Sequence, residues 1–278
     1  MSKTKIFSFP QIILNFVLAA GCIVALLPFM WIFATSLRHP AESFRMPPSF
    51  FPTSFQWENY YTVFTTFPFA RFITNSMIVS SAVVVLSVIV SSLAAFSFAR
   101  IDFKGKNIIF MVFMAGLMIP GSATMISLFL VMAQLGLVGS LWALILPATI
   151  NPLHIFLMRQ VMMTIPKSYE ESAEIDGCRR LGIYWYVILP MSKPILILAG
   201  LQAFVASWNN FIGPLIFISE WNRMTLPIGL RGLLGFMGTG SISVVLAGVA
   251  VSLVVPVLLF VFGQRHFVEG IALTGVKS

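Results

Sequence analysis

"YEESAEIDGCRRLGIYWYVILPMSKP", residues 169–194, is the stretch on which the reading of this chain turns. Of the 278 residues, 58% are hydrophobic and only 9% are charged. Yet Glu170, Glu171, Glu174 and Asp176 gather here, out of only nine acidic side chains in the chain. Arg179, Arg180 and Lys193 join them, and an apolar run resumes at Pro194. A chain so poor in charge needs a reason to collect it between two oily segments.

The oily segments come first. Residues 7–37, 72–99, 107–158, 194–219 and 232–264 contain no Asp, Glu, Lys or Arg. About 20 apolar residues suffice for a helix to cross a bilayer. Closed β-barrels, the other spanning solution, show alternating segments of roughly ten residues, and these runs are continuous. The mean hydropathy of +0.95 agrees, since soluble domains are usually about 45–50% apolar. The expectation is an all-α membrane protein.

The run 107–158 is too long for one span, and "QLGLVGS" (residues 134–140) is its natural turn. Dividing it gives six spans, at 12–36, 72–98, 107–133, 141–160, 194–218 and 242–263, in a single transmembrane domain covering residues 1–278. Six spans put both termini on one side, and Lys/Arg asymmetry chooses the side. With the termini inside, twelve basic residues lie inside: Lys3, Lys5, Arg100, Lys104, Lys106, Arg159, Lys167, Arg179, Arg180, Lys193, Arg265 and Lys277. Five lie outside: Arg38, Arg45, Arg71, Arg223 and Arg231. Both termini are therefore expected in the cytoplasm, with the chain a multi-pass protein of a prokaryotic plasma membrane. The net charge of +8 follows from this bias and implies no nucleic-acid partner. The first apolar run, with "LAAGC" ending at Cys22, is longer than the 7–15 residues of a signal-peptide core, so it reads as a retained span. Cys22 in the membrane and Cys178 in the cytoplasm are not expected to pair.

The charged stretch then falls in a cytoplasmic loop, 161–193, between spans four and five. Ser168 and Glu171 have the spacing of a capping box. Glu170, Glu171 and Glu174 sit in the first turns, where the helix dipole favours negative charge. Gly177 is the residue type that ends helices in the left-handed conformation. "CRRLGIYWYVIL" forms a second helical segment up to Pro190, and Ser192 with Pro194 marks the start of the next span. The expectation is two short helices joined at a glycine elbow, with Tyr184, Trp185 and Tyr186 near the membrane. A floppy connector needs none of these features; a surface that docks another protein does.

Glu171-Ser172-Ala173, three residues, Gly177, nine residues, Val187, one residue, Leu189-Pro190 resembles the "EAA" loop of ABC-importer permeases, E-A-A-x3-G-x9-I-x-L-P. The departures are Ser172 for Ala and Val187 for Ile. "SWNNFIGPLIF" (207–217), "MTLPIGL" (224–230) and the tail "QRHFVEGIALTGVKS" (264–278) are similar to the smaller permease of maltose-type carbohydrate importers. That resemblance implies a type I ABC-importer permease fold whose loop carries a coupling helix seated in an ATPase subunit. Glu171, Ser172, Ala173, Asp176, Gly177, Leu189 and Pro190 would be its coupling residues, and the cytoplasmic tail 264–278 would also reach the ATPases. The implied partners are a second permease, two ATPase subunits and an extracytoplasmic solute-binding protein, around a sugar or oligosaccharide substrate.

The chain has no G-x-x-x-x-G-K-[ST] phosphate loop, so ATP and Mg²⁺ are expected on the partner ATPase, with no cofactor on this chain and no catalysis by it. No span carries an ionisable Asp, Glu, Lys or Arg near its centre, which disfavours the proton or sodium relay of a secondary carrier. A carrier, or the same architecture moving another solute such as glycerol phosphate, are the alternatives. Asn151, Gln202, Trp208, Asn209 and Asn210 are candidates for the substrate path, with Asn75 a further amide. Asn209 and Asn210 lie just before Gly213-Pro214, where a helix break would turn backbone toward a cavity. For each amide, bonding between helices competes with substrate contact. His154 has no second ligand at metal-binding spacing, and Pro28, Pro120 and Pro256 are expected to kink spans one, three and six. The proline-rich segment 38–71 is an outside loop, either a rim for the binding protein or a connector.

Overall fold

A computed structural model describes residues 9–42, 51–235 and 240–275. The basic termini, Arg45, Pro47 and Pro48 lie outside the described residues, as do the side chains of 264–275. All regular structure among the described residues is helical.

The chain divides into two compact units. The first comprises residues 1–67 and 230–253. Its helix α1 (Phe9–Ser36) carries Pro28 within an unbroken helix, and its side chains from Ile13 to Phe33 are largely exposed and apolar. The chain after it folds back onto its end. Asn59, on α2 (Glu58–Thr66), donates through Nδ2 to the carbonyls of Ser36 and Arg38, both at 2.8 Å. Tyr60 meets the Ser36 hydroxyl at 2.7 Å. Arg38 lies over the Trp31 ring. These bonds fix the course of the chain where it leaves α1.

The second unit comprises 68–229 and 254–278 and is built around α3 (Phe69–Arg100). Ser76, Ser80, Ser87, Ser91 and Ser92 form a buried polar stripe along α3. In a membrane, where lipid tails compete with apolar side chains, small residues let helix backbones approach and pack. The stripe does this against α7 (Pro152–Thr164) and α11 (Lys193–Trp208). At Gly200 of α11 a Cβ would meet Val84 and Val88 of α3 at 3.5 and 3.6 Å.

Proline divides the middle of the unit more sharply than kinks would. The expected third span is α4 (Lys106–Ala115) and α5 (Gly121–Gln134), bent by 106°. Ile119 precedes Pro120 and is extended; the proline ring excludes the helical region for the residue before it. The expected fourth span is likewise two helices, α6 (Trp142–Thr149) and α7, because Pro152 holds Asn151 extended at φ −122°, ψ 110°. The turn expected at 134–140 is present, with Gly136 and Gly139 at positive φ. α8 (Ser168–Ile175), α9 (Arg180–Ile183), a π-helical turn (Tyr184–Ile188) and α10 (Leu189–Met191) lead into α11. The segment Arg180–Met191 meets Lys193–Trp208 at 79°. α12 (Ile212–Phe217) and α13 (Leu226–Gly232) follow. The last helix, α14 (Ile242–Gly275), contains Pro256 unbroken and runs beyond the expected end of the sixth span.

By length and composition, Ile13–Ser36, Phe69–Arg100 and Ile242–Gly263 can each cross a membrane, and there are up to five such segments if each bent pair counts as one.

Candidate functional site

The loop 161–193 is an ordered, packed element. Its helix α8 begins one residue earlier than the capping-box reading expects. Lys167 is already helical, at φ −63°, ψ −26°, and makes no side-chain cap bond. Its carbonyl accepts from the Glu170 and Glu171 amides at 2.9 and 3.0 Å. Pro166 has already turned the chain, so Ser168 enters the helix instead of capping it. Its carbonyl accepts from the Ser172 hydroxyl at 2.8 Å. Ser192 holds the N-cap position of α11, but its buried hydroxyl makes no cap bond.

The elbow forms as the sequence requires. Gly177 has φ +83°. The Gly177 amide donates to the Glu174 carbonyl at 3.0 Å and the Cys178 amide to Ala173 at 2.9 Å. This is the paired arrangement of a Schellman motif, which satisfies the last carbonyls of a helix. Its usual apolar contact is here too, since Ala173 is buried and half-buried Cys178 packs against the same cluster.

Two anchors fix the loop to α3. The first is the Arg100–Glu170 ion pair, 3.0 Å apart, with side chains 6% and 17% exposed. It is a charge contact off the hydrogen-bonding angle. The Arg100 guanidinium also donates to the carbonyls of Met162 and Ile165, at the α7 C-terminus, where the dipole favours a cation. One side chain thus joins the ends of α3 and α7 to the first turn of α8. The second anchor is Tyr184, fully buried, whose hydroxyl lies 2.7 Å from that of Ser92. Its ring packs on Phe96 at 5.3 Å and edge-on to Trp185 at 5.1 Å. Burial pushes the Tyr184 phenol up from its ordinary value, and the Ser92 bond pulls it part of the way back. The π-helical turn starts at this residue, with the Leu189 amide donating to the Tyr184 carbonyl five residues back. Pro190 favours the wider register, because its ring excludes the i−4 carbonyl and it brings no N–H.

Of the coupling residues expected from sequence, Glu171, Ser172, Asp176, Gly177 and Pro190 are exposed, Leu189 is half-buried, and Ala173 points into the core. The exposed face also carries Ile175 (87% exposed), Leu181 (66%) and Tyr186 (79%). Large apolar groups this open, beside carboxylates, form a surface that excludes water only when something covers it. Sequence reasoning missed Arg100 and Glu170 as a pair and Ser92 as the partner of Tyr184. Arg100 did carry a signal, as the charge that ends a long apolar run.

The five candidates for the substrate path separate. Asn151 caps α7, accepting from the Leu153 amide at 2.9 Å. Asn210 accepts from the Gly213 amide at 3.0 Å across the interruption between α11 and α12. These two line one cavity of about 210 Å³ with His154, Ser207, Ala203 and Ala206. The other three lie apart from it. Asn209 donates to Val205 of its own helix, Trp208 is buried and stacked on Phe204 at 5.5 Å, and Gln202 faces an apolar groove with Phe204, Pro256 and Leu259. Asn75 donates to the carbonyls of Asn222 and Met224, both at 2.9 Å, and so ties α3 to the turn before α13.

Relatives agree with this architecture. The chain is 35% identical over 273 residues to the arabinooligosaccharides transport system permease protein AraQ of Halalkalibacterium halodurans, covering 96% of this chain and 98% of that one. It is 33% identical to the sulfoquinovosyl glycerol transport system permease protein SmoH of Agrobacterium fabrum, over 95% of this chain and 94% of that one. A chain of a bacterial ABC transporter involved in the import of the acidic polysaccharide alginate superposes with a TM-score of 0.82 at 22% identity, covering 95% of this chain and all of that one, and so shares the fold. Residues 87–268 match the model of the binding-protein-dependent transport system inner membrane component. The chain belongs to that family of ABC-transporter permeases.

Proposed function

We propose that this chain forms half of the membrane pathway of an ATP-driven importer of sugars or oligosaccharides, with six spans and both termini in the cytoplasm. The broken pairs α4–α5 and α6–α7 supply the third and fourth spans, and α11 with α12 the fifth. A second permease completes the pathway, a solute-binding protein delivers substrate from outside, and two ATPase subunits, which hold ATP and Mg²⁺, drive it from inside. The loop 161–193 is the coupling element, with α8 as its docking helix, and the tail 264–278 reaches the same subunits.

The carrying observation is the two-sided build of the loop. Its inner side is fixed to α3 and α7 through Arg100, Glu170, Ala173 and Tyr184. Its outer side exposes Ile175, Leu181 and Tyr186 beside Glu171, Glu174 and Asp176. A helix that is rigidly held behind and open in front passes a partner's movement to the membrane helices. The sugar assignment is supported by the named substrates of the relatives and by polar, uncharged side chains at the helix breaks.

The test is to replace Ile175 by Asp and Leu181 by Asp in the purified complex. Both side chains are open, and surface changes of this kind usually move stability by no more than about 0.5 kcal/mol. Membrane abundance should stay normal, while retention of the ATPase subunits and substrate-stimulated ATP turnover fall. Normal retention in both variants would refute the docking role.

A further inference from the structure

Resting on the permease reading and deepening it, we infer that the cavity between the two helix breaks is a glycan subsite. Asn151, His154, Ser207 and Asn210 there hold the edge of one uncharged, hydroxyl-bearing ring. The cavity lies where Ile150 and Asn151 interrupt the expected fourth span and where 209–211 interrupt the expected fifth. In transporters, discontinuous helices place polar backbone and amides beside a substrate within the membrane.

The hydrogen-bond inventory determines what the cavity accepts. Asn151 has given its Oδ1 to the Leu153 amide, so its Nδ2 faces outward and lies 3.5 Å from His154 Nε2. Nε2 must then be the acceptor, which puts the imidazole proton on Nδ1, directed at the Ser87 hydroxyl 3.2 Å away; this assignment follows from the network. One Asn151 N–H remains for the cavity. Asn210 has likewise given its Oδ1 to the Gly213 amide and keeps its NH₂. Ser207 accepts from Ser80 at 3.2 Å, which leaves its own proton and a lone pair. The walls therefore offer several neutral donors and a few acceptors, the complement of hydroxyls, which both donate and accept.

An anionic ring fits poorly. None of the residues lining the cavity is charged, and a buried charge without a counter-charge is costly. The α7 N-terminus offers little to an anion, since Pro152 has no N–H and Asn151 already takes that of Leu153. Arg159, further along α7, donates to the Phe98 carbonyl at 3.2 Å and stacks on Phe110. Size sets the last limit. About 210 Å³ is below the roughly 300–1,000 Å³ that encloses a whole ligand, so the cavity takes one ring edge and leaves the rest of the glycan in the pathway.

The experiment uses the complete importer with its binding protein in liposomes, reading uptake and ATP turnover together. The probes are radiolabelled arabinotriose and maltotriose, which are neutral, and trigalacturonate, which is acidic. Uptake of at least one neutral trisaccharide and none of the acid is expected. Ser207→Ala, nearly isosteric, should lower neutral uptake about fivefold to tenfold, the loss of one hydrogen bond. Ala206→Leu, which fills the cavity, should lower it at least as far. Both should retain the partner permease and the ATPase subunits on purification as the unaltered complex does, showing that the complex is assembled. Import of trigalacturonate, or wild-type neutral uptake by Ser207→Ala, overturns the subsite and leaves the permease reading standing. ATP turnover with import of neither class removes the sugar assignment and the subsite together.

Discussion

The Arg100–Glu170 pair gives the sharpest quantitative test of how the loop is held. Both partners are nearly enclosed, at 6% and 17% exposure and 3.0 Å separation. Removing one member of a buried pair typically costs about 3–5 kcal/mol, because the other charge is left uncompensated. Glu170 keeps some contact with water, and Arg100 keeps the Met162 and Ile165 carbonyls. The lower end, about 3 kcal/mol, is therefore the expectation for Glu170→Met. Arg100→Met should cost at least as much, since it also strips a donor from two carbonyls.

That loss should appear as local opening of α8 and leave insertion of the long helices intact. Ala173 is 9% exposed behind α8, so Ala173→Cys, in a background lacking Cys22 and Cys178, reports opening through its alkylation rate. At about 1.4 kcal/mol per factor of ten, 3 kcal/mol corresponds to roughly a hundredfold faster labelling. The double variant Arg100→Met/Glu170→Met buries no unpaired charge. It should label well below the product of the two single effects, with a coupling energy of about 2–3 kcal/mol. Labelling within threefold of the parent in both single variants, or strictly additive effects, would refute the claim that the pair anchors the loop.

Other variants address other links of the structure. A Cβ at Gly177 would meet no atom within 4 Å, so the cost of Gly177→Val lies in the left-handed backbone, about 1–2 kcal/mol. Membrane abundance should be near normal while stimulated ATP turnover falls, and wild-type turnover would sink the elbow's coupling role. Gly229→Ala would drive its Cβ into the Phe72 ring, where Phe72 is fully buried; overpacking of about 1–3 kcal/mol or more should appear as reduced yield of folded protein, and normal yield and melting would contradict the packing. Tyr184→Phe should cost about 1 kcal/mol, read as faster Ala173→Cys labelling. Because burial raises this phenol, the folded state favours its protonated form. Its contribution should be constant below about pH 10 and decline only as pH rises beyond that, so labelling that accelerates between pH 6 and 9 in wild type but not in Tyr184→Phe would contradict the assignment.

Much of the architecture was legible because it rests on local rules. Charge-free runs became α1, α3 and α14, and a glycine at the right offset became the left-handed end of α8. Proline was legible in position and underestimated in strength. Pro120 produces a 106° bend, and Pro152 divides the expected fourth span. Both act through the residue before the ring, Ile119 and Asn151, which is held extended. The capping box failed for a local reason: Pro166 and Lys167 had already started the helix. The anchors were illegible for a different one. Arg100 and Glu170 stand 70 positions apart, and Ser92 and Tyr184 are 92 apart. No periodicity links such pairs; they meet only once α3 and α7 have packed. Similarly, Asn151 and Asn210 stood out as amides near breaks, but only the packing of α3, α7 and α11 brings them to one cavity and leaves Gln202 and Asn209 outside it.

The loop and the cavity are joined by one helix. α11 starts at Lys193, directly after α10, and ends at Trp208, beside Ser207 and Asn210. Sixteen residues at 1.5 Å each give about 24 Å, about four-fifths of the roughly 30 Å hydrocarbon core. A displacement of the loop therefore need not be relayed through many side chains; it would move one end of a rod whose other end forms a wall of the cavity. Along its length the rod packs on α3 at Gly200, where an added Cβ would already touch Val84 and Val88. Gly200→Leu should jam that contact. If the rod transmits the stroke, this variant retains ATPase subunits and basal turnover yet loses uptake; if coupling runs through other helices, uptake survives in proportion to folded protein. Measuring both in the same liposomes separates the two, and uptake that tracks abundance would rule out α11 as the transmitting element.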